Sequence, residues 1–172
     1  ADPNVGNEAR TAVITFMLND IIESVTVIQQ VSSIPEADMT GMEKNAMELM
    51  KEIAIGWNLG NSLEAVGGET AWGNPATTKA MITIKELGFS AVRIPCAWND
   101  YLVSDGSYEI QASWLNRVKE VVDYCVDNEL YAILNIHWDG GWLENDIPNG
   151  YNKAVDQKQR ALWQQIATFF RN

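Results

Sequence analysis

Histidine and cysteine are almost missing from this chain: one histidine, His137, and two cysteines, Cys96 and Cys125, in 172 residues. No Cys-x-x-Cys pair exists, so neither a zinc site nor a disulfide framework is indicated, and the two thiols are expected to be free and buried. Basic residues are also scarce, 12 Lys and Arg against 23 Asp and Glu, for a formal charge of -11. That balance repels phosphate backbones and anionic lipid alike, so nucleic acid is not an expected partner. No apolar run approaches the length of a membrane span, and the start Ala1-Asp2-Pro3-Asn4 has no signal-peptide pattern. Neither Gly-x-Gly-x-x-Gly nor Gly-x-x-x-x-Gly-Lys-Ser/Thr follows any strand candidate, which leaves a nucleotide-dependent flavodoxin-like protein as a remote reading.

What the chain does have is the material of a core: 47% hydrophobic and 20% charged residues, close to globular averages. Residues 11–18 and 21–30 are rich in β-branched side chains and flank the turn pair Asn19-Asp20, which predicts a hairpin. A lone hairpin is marginal in water, so it should belong to something larger. The Pro, Ser and acidic residues of 32–38 read as a linker, after which the apolar period changes from two to about 3.6. Thr40 and Glu43 have capping-box spacing, and Met42, Ala46, Leu49, Met50 and Ile53 then recur on one helical face, expected to pack in the core.

From Ala54 onward one unit recurs: a short strand, a polar or Gly-rich loop, an amphipathic helix. Strands are expected at 55–59, 91–95 and 131–136, and helices at 75–87, 112–127 and 151–170, with left-handed caps at Gly88 and Asn128. In the second helix Trp114, Val118, Val121, Val122 and Cys125 line one face, as a helix covering a sheet requires. Three such units imply a parallel sheet, either the start of a barrel or part of an open doubly wound sheet, and composition does not choose between them.

In both architectures ligands bind at the carboxyl ends of the strands. The loops there hold Asn58, Asn61, Glu64, Glu69 and Trp72, then Trp98, Asn99, Asp100 and Tyr101, then His137, Trp138, Asp139, Trp142 and Glu144. Flat apolar rings beside amides and carboxylates match the axial C–H face and equatorial hydroxyls of a sugar, so a saccharide cleft is the expected site. Single tryptophans such as Trp57 and Trp114 are read as packing. His137 follows an apolar strand directly, where an acid, base or hydrogen-bonding group would project into the cleft. Arg93 is a charge inside a buried strand and calls for a carboxylate partner, which is either a structural ion pair or a glutamate nucleophile.

Four ordered motifs, Ile55-Gly56-Trp57-Asn58-Leu59-Gly60-Asn61-Ser62-Leu63-Glu64, Glu69-Thr70-Ala71-Trp72-Gly73-Asn74-Pro75, Gly88-Phe89-Ser90-Ala91-Val92-Arg93-Ile94-Pro95 and Leu134-Asn135-Ile136-His137-Trp138-Asp139, resemble the opening of glycoside hydrolase family 5, in its branch of bacterial endoglucanases and xyloglucanases. The resemblance implies an α/β fold made of the first three βα units of a TIM (β/α)8 barrel, preceded by the short β-hairpin. It implies a retaining endo-β-1,4-glucanase that takes cellulose, xyloglucan or mixed-linkage glucan, without cofactor or metal, in a bacterial protein that is secreted or held at the cell surface. Arg93 resembles the arginine that hydrogen-bonds the nucleophile, and His137 the substrate-contacting histidine after the third strand. The resemblance also implies Asn58 and Asn61 near the minus subsites, with ring stacking by Trp138 where many members have a second histidine; the loop rings Trp72 and Trp142, read from the residues themselves, complete the expected substrate-binding set.

Family members carry the acid/base glutamate in an Asn-Glu-Pro motif after strand four and the nucleophile after strand seven. This sequence has no Asn-Glu-Pro, so both glutamates are expected outside it and the remainder of the barrel is needed for turnover. Retaining hydrolysis needs two carboxyls about 5 Å apart, and Glu64, Asp139 and Glu144 are read as loop or substrate-rim residues instead. The other reading is a catalytically silent carbohydrate-binding or complementing fragment. The segments Arg10-Thr11-Ala12-Val13-Ile14-Thr15 and Ser24-Val25-Thr26-Val27-Ile28-Gln29 resemble the last strands of BACON-type immunoglobulin-like modules. The expected organisation is therefore a module remnant at 1–31, a linker at 32–38 and a partial barrel at 39–172.

Overall fold

The computed structural model describes residues 9–19, 21–29 and 43–171. It falls into two units, one up to residue 43 and one from residue 44 onward.

The first unit is a hairpin of β1, Arg10–Leu18, and β2, Ile21–Gln29, paired antiparallel from Arg10↔Gln29 to Leu18↔Ile21. Asn19 turns the chain with φ 54°, a conformation asparagine tolerates better than most residues. A cross-strand hydroxyl bond joins Thr15 to Ser24 at 3.2 Å, and β-branched residues are common in both strands, which favours extended backbone. Val13, Ile14, Phe16, Met17, Ile22, Val25, Val27 and Ile28 remain exposed.

The second unit opens with α1, Ala46–Glu52. Its capping box is Asn45 with Glu48, not Thr40 with Glu43: the Asn45 Oδ1 accepts the Glu48 N–H while the Glu48 carboxylate accepts the Asn45 N–H, at 3.0 and 2.8 Å. Asparagine is the better cap, and Thr40 itself lies outside the described residues. The methionine-bearing stripe is not core. No residue of α1 is buried: Ala46 and Met50 of the stripe are exposed, Met50 at 62%, Leu49 and Ile53 are half-buried, and Met42 lies outside the described residues. The helical period is present, but the face stays outside the buried core cluster.

Three strands follow, β3, Gly56–Asn58, β4, Ala91–Cys96, and β5, Tyr131–Ile136, parallel in the order β3-β4-β5. Helices α2, Thr78–Glu86, and α3, Ala112–Val126, connect them, and α4, Lys153–Phe169, comes after β5. The two-residue period of a strand sorts the side chains. Val92, Ile94 and Cys96 meet Met81 and Ile84 of α2, Val118, Val121 and Cys125 of α3, and Leu162 and Ile166 of α4 in one buried cluster. Full burial of each large aliphatic contributes roughly 1.5–3 kcal/mol. Arg93 and, in register with it, Asn58 and Ile133 alternate onto the other face.

Both cysteines are free and buried, with the Cys125 Sγ 3.7 Å from the Met81 Sδ. Helix α2 starts three residues later than the expected 75, because the Thr77 hydroxyl caps the Ala80 N–H. Gly88 takes the expected left-handed cap at φ 88°. At the end of α3 the left-handed residue is Glu129, φ 54°, rather than Asn128. The reason is burial: the Leu130 N–H returns to the Cys125 carbonyl at 2.9 Å and its side chain is only 3% exposed. A helix end closed on that apolar residue puts the left-handed position immediately before it.

Candidate active site

Parallel register sets the first contact. Asn58 ends β3 level with Arg93 in the middle strand, and the Arg93 Nη1 donates to the Asn58 Oδ1 at 2.6 Å. The chain leaves β5 at His137, whose N–H still bonds the Cys96 carbonyl. This brings the His137 Nδ1 3.3 Å from the Arg93 Nη2. A guanidinium has donors only, so Nδ1 is the acceptor and the ring proton sits on Nε2. His137 thereby keeps an N–H to offer a ligand.

Of the two carboxylate partners open for Arg93, a structural ion pair is absent among the described residues. An amide and an imidazole satisfy the guanidinium, which is half-buried and keeps some solvent. A Cβ at Gly60 would sit 2.8 Å from the Asn58 Nδ2, so any side chain there would push the amide out of this contact.

The loop after β5 is anchored by Asp139, which is 4% exposed and so is not a rim residue. Its Oδ1 accepts the Trp98 and Asn99 N–H groups at 2.8 and 2.7 Å, and its Oδ2 accepts the Trp142 indole N–H at 3.0 Å. Backbone donors at the end of β4 would otherwise be buried without partners. Burial raises the Asp139 carboxyl above its ordinary range, against the opposing pull of the Trp142 indole and those backbone N–H groups.

Glu64 is the second correction, also buried rather than at the rim. Its two oxygens accept the Asn61 and Ser62 N–H groups at 2.6 and 3.0 Å. They hold Asn61 at φ 62° with its side chain exposed. Glu69 takes a bidentate grip on Arg117 of α3 at 2.8 and 2.6 Å and accepts the Ala76 N–H at 3.0 Å, tying down the loop that carries Trp72. The Arg117 hydrogen bonds hold the Glu69 carboxyl below its usual range, against the opposing effect of burial.

The loop aromatics divide. Trp98 is fully buried, and Tyr101 stacks on Trp114 with centroids 3.5 Å apart and planes at 4°. The Trp114 indole is spent on the Ala97 carbonyl at 2.8 Å. Trp142 serves Asp139 and lies under the Lys158 ammonium at 4.2 Å. Trp72 and Trp138 are left half-exposed, at 49% and 51%. Arg93, Asn58 and His137 are thus in direct contact, while the positions of Asn61 and Trp72 are set by the separate braces of Glu64 and Glu69.

Sequence reasoning missed Lys158, whose ammonium also donates to the Asn99 side chain, because a lysine on an amphipathic helix carries no signal of its own. It also missed the bracing by Asp139 and Glu64. The signal available for Asp139 was its place before Gly140-Gly141, a sequence that needs unusual backbone. Among the described residues no group of three or more His, Cys, Asp or Glu could hold a metal, and no helix is long and apolar enough to cross a membrane.

Residues 58–172 match the family model described as cellulase, glycosyl hydrolase family 5. The cellulase/esterase CelE of Acetivibrio thermocellus is 48% identical over 140 residues, 80% of this chain and 17% of that protein. Among solved structures, the Bacteroides ovatus GH5 xyloglucanase in complex with a XXXG heptasaccharide is 34% identical with a TM-score of 0.72, over 96% of this chain and 39% of that one. The tri-modular GH5 subfamily 4 endo-β-1,4-glucanase from Bacillus licheniformis, complexed with cellotetraose, is 38% identical with a TM-score of 0.66, over 72% and 24%. The chain spans between 17% and 38% of the length of these and other curated relatives it matches. Its matched region, its sequence identities and its parallel βα architecture agree, and the chain belongs to the cellulase family, glycosyl hydrolase family 5.

Proposed function

We propose that this chain supplies the first three βα units, β3-α2, β4-α3 and β5-α4, of an eight-fold β/α barrel that works as a retaining endo-β-1,4-glucanase. The observation that carries the reading is the coupling of Asn58 and His137 through Arg93 at the carboxyl ends of three parallel strands. Such strand ends are where barrel enzymes place their chemistry. The substrate is a β-1,4-glucan, cellulose, xyloglucan or a mixed-linkage glucan, in keeping with relatives named as cellulase and xyloglucanase. The protein acts at the bacterial cell surface or outside the cell. Residues 1–31 are read as the remnant of an immunoglobulin-like BACON module and 32–38 as a linker, ahead of the partial barrel at 39–172.

In this reading His137 donates its Nε2–H to a sugar hydroxyl while Arg93 holds the ring's tautomer and orientation. Arg93 also fixes the Asn58 amide, so that its remaining hydrogen-bonding capacity faces the glycone side with Asn61. Trp72 and Trp138 supply apolar faces for pyranose rings, while Trp142, packed on the core with the Lys158 ammonium over its ring, braces the loop beside them. The acid/base and nucleophile carboxyls come from outside these 172 residues. Glu64, Glu69 and Asp139 are committed to backbone N–H groups, Arg117 and an indole, and among the described residues no pair of free carboxyls sits at Arg93.

The test is an assay of the 172-residue chain on carboxymethylcellulose beside titration calorimetry with cellohexaose. No release of reducing ends is expected, and turnover by the chain alone would overturn the proposal. The half-exposed Trp72 and Trp138 favour one second reading, a silent carbohydrate-binding fragment. Tight cellohexaose binding by the chain, with no gain of activity when the rest of the barrel is supplied, would select it.

A further inference from the structure

Four consecutive residues after His137 have positive φ: Trp138 and Asp139 at 52°, Gly140 at 77° and Gly141 at 72°. The glycines take such angles freely, but Trp138, with ψ -64°, lies in the region of the rare strained γ-turn. Strain of this kind persists only where the surroundings hold it. Here the clamp is Asp139. Its carboxylate closes on the N–H groups of Trp98 and Asn99 from the β4 loop and on the indole N–H of Trp142. The loop after β5 cannot relax without breaking those bonds.

The strained turn lays the Trp138 ring back over Gly141. A Cβ at Gly141 would stand 2.8 Å from the ring's Cη2, 3.1 Å from its Cζ3 and 2.5 Å from the Asn145 Nδ2. The ring edge rests on bare backbone, yet the residue stays 51% exposed. This makes little sense as packing. A tryptophan contributes to folding by being buried, whereas this one adopts a costly backbone conformation and remains half in water.

We propose that Asp139 and Gly141 are positioning residues for the Trp138 indole, holding it open-faced as a platform for a β-linked glucosyl ring. This rests on the endoglucanase reading above. Neither residue touches substrate. Asp139 fixes the direction in which the turn presents the ring, and Gly141 leaves the space into which the ring settles.

The experiment measures KM and kcat of the intact enzyme on cellohexaose for W138A, D139N and G141A, and for D139N and G141A each combined with W138A. Losing a well-placed stacking ring should raise KM roughly three- to tenfold with a smaller change in kcat. D139N puts an amide N–H against the Trp142 indole N–H, and G141A puts a methyl into the ring. Both should raise KM in the same range, and neither should raise it further in the W138A background, since non-additivity identifies residues acting through one group. If W138A raises KM while D139N and G141A leave it within twofold, the positioning role is overturned and the platform stands. If W138A leaves KM unchanged, the platform falls and the positioning role with it. Equal effects of D139N and G141A with and without Trp138 would overturn the proposal, because they would then act on something else. Should D139N fail to fold, G141A and its double variant decide alone.

Discussion

Arg93→Met removes the one donor that forces the His137 tautomer. The Arg93 Nη2 to His137 Nδ1 distance of 3.3 Å is at the long end of a hydrogen bond. Both groups reach solvent, so its net value is about 1 kcal/mol rather than that of a fully buried charged bond. A bias of about 1 kcal/mol multiplies a tautomer ratio roughly fivefold. The chain has a single histidine, so a sample carrying ¹⁵N-labelled histidine shows one pair of ring nitrogens and their long-range proton correlations can be assigned without ambiguity. At a pH where the ring is neutral, the wild-type spectrum should show Nδ1 unprotonated and Nε2 carrying hydrogen. In R93M the preference for the Nε2–H form should drop about fivefold. R93K should fall between, because one ammonium cannot serve Asn58 and His137 together as the planar fork does. An Nδ1–H ring in the wild type, or a ratio unmoved by R93M, would refute the account of how His137 is readied for a sugar hydroxyl.

Glu69→Gln keeps the shape of the Arg117 partner and drops its charge; the side chains are 16% and 25% exposed, so about 1–2 kcal/mol should be lost, or roughly 2–8 °C in Tm of the intact enzyme. The hydrogen bonds from Arg117 hold the folded Glu69 carboxyl below its ordinary 4.5, so its stabilisation is complete above about pH 4.5 and disappears as pH falls through the lower folded value. Thermal melts should therefore show the gap between wild type and E69Q closing as the pH is taken below 4.5, and a gap of constant size would contradict the pairing. Glu129→Gly relieves a left-handed residue at φ 54° while losing only a 3.6 Å contact to Lys85 from an 88%-exposed carboxylate. It should raise Tm by about 1–4 °C, the effect of roughly 0.5–1 kcal/mol; a lower Tm would mean the cap depends on the glutamate side chain.

Periodicity found the elements because burial acts on spacing. The five residues assigned to the inner face of α3 are those that meet the sheet: Trp114, Val118, Val121 and Cys125 are buried and Val122 packs partly against them. The same signal failed at α1, where no described residue of an apolar stripe of correct period is buried. Period states which side chains share a face, and says nothing of whether another element covers it. Helix ends moved for local reasons, at Thr77 because its hydroxyl is the cap and at Glu129 because Leu130 had to be buried.

Order along the chain was enough to name Asn58 and His137, which fall at strand ends that converge in a parallel sheet, and Arg93, which stood out as the one charge inside β4. What the linear order could not state is who satisfies whom. A half-buried arginine in a core strand predicts a partner but not its identity; register put an asparagine level with it and the exit of β5 supplied an imidazole. Carboxylates look alike in a sequence, and only the folded chain shows that Glu64 and Asp139 are spent on orphaned backbone N–H groups while the indole of Trp138 is left open. Composition and spacing thus decided the class of the fold and the face that carries the site. Tertiary contact decided which polar groups remain free for a ligand, because hydrogen-bond saturation depends on neighbours far apart in the chain.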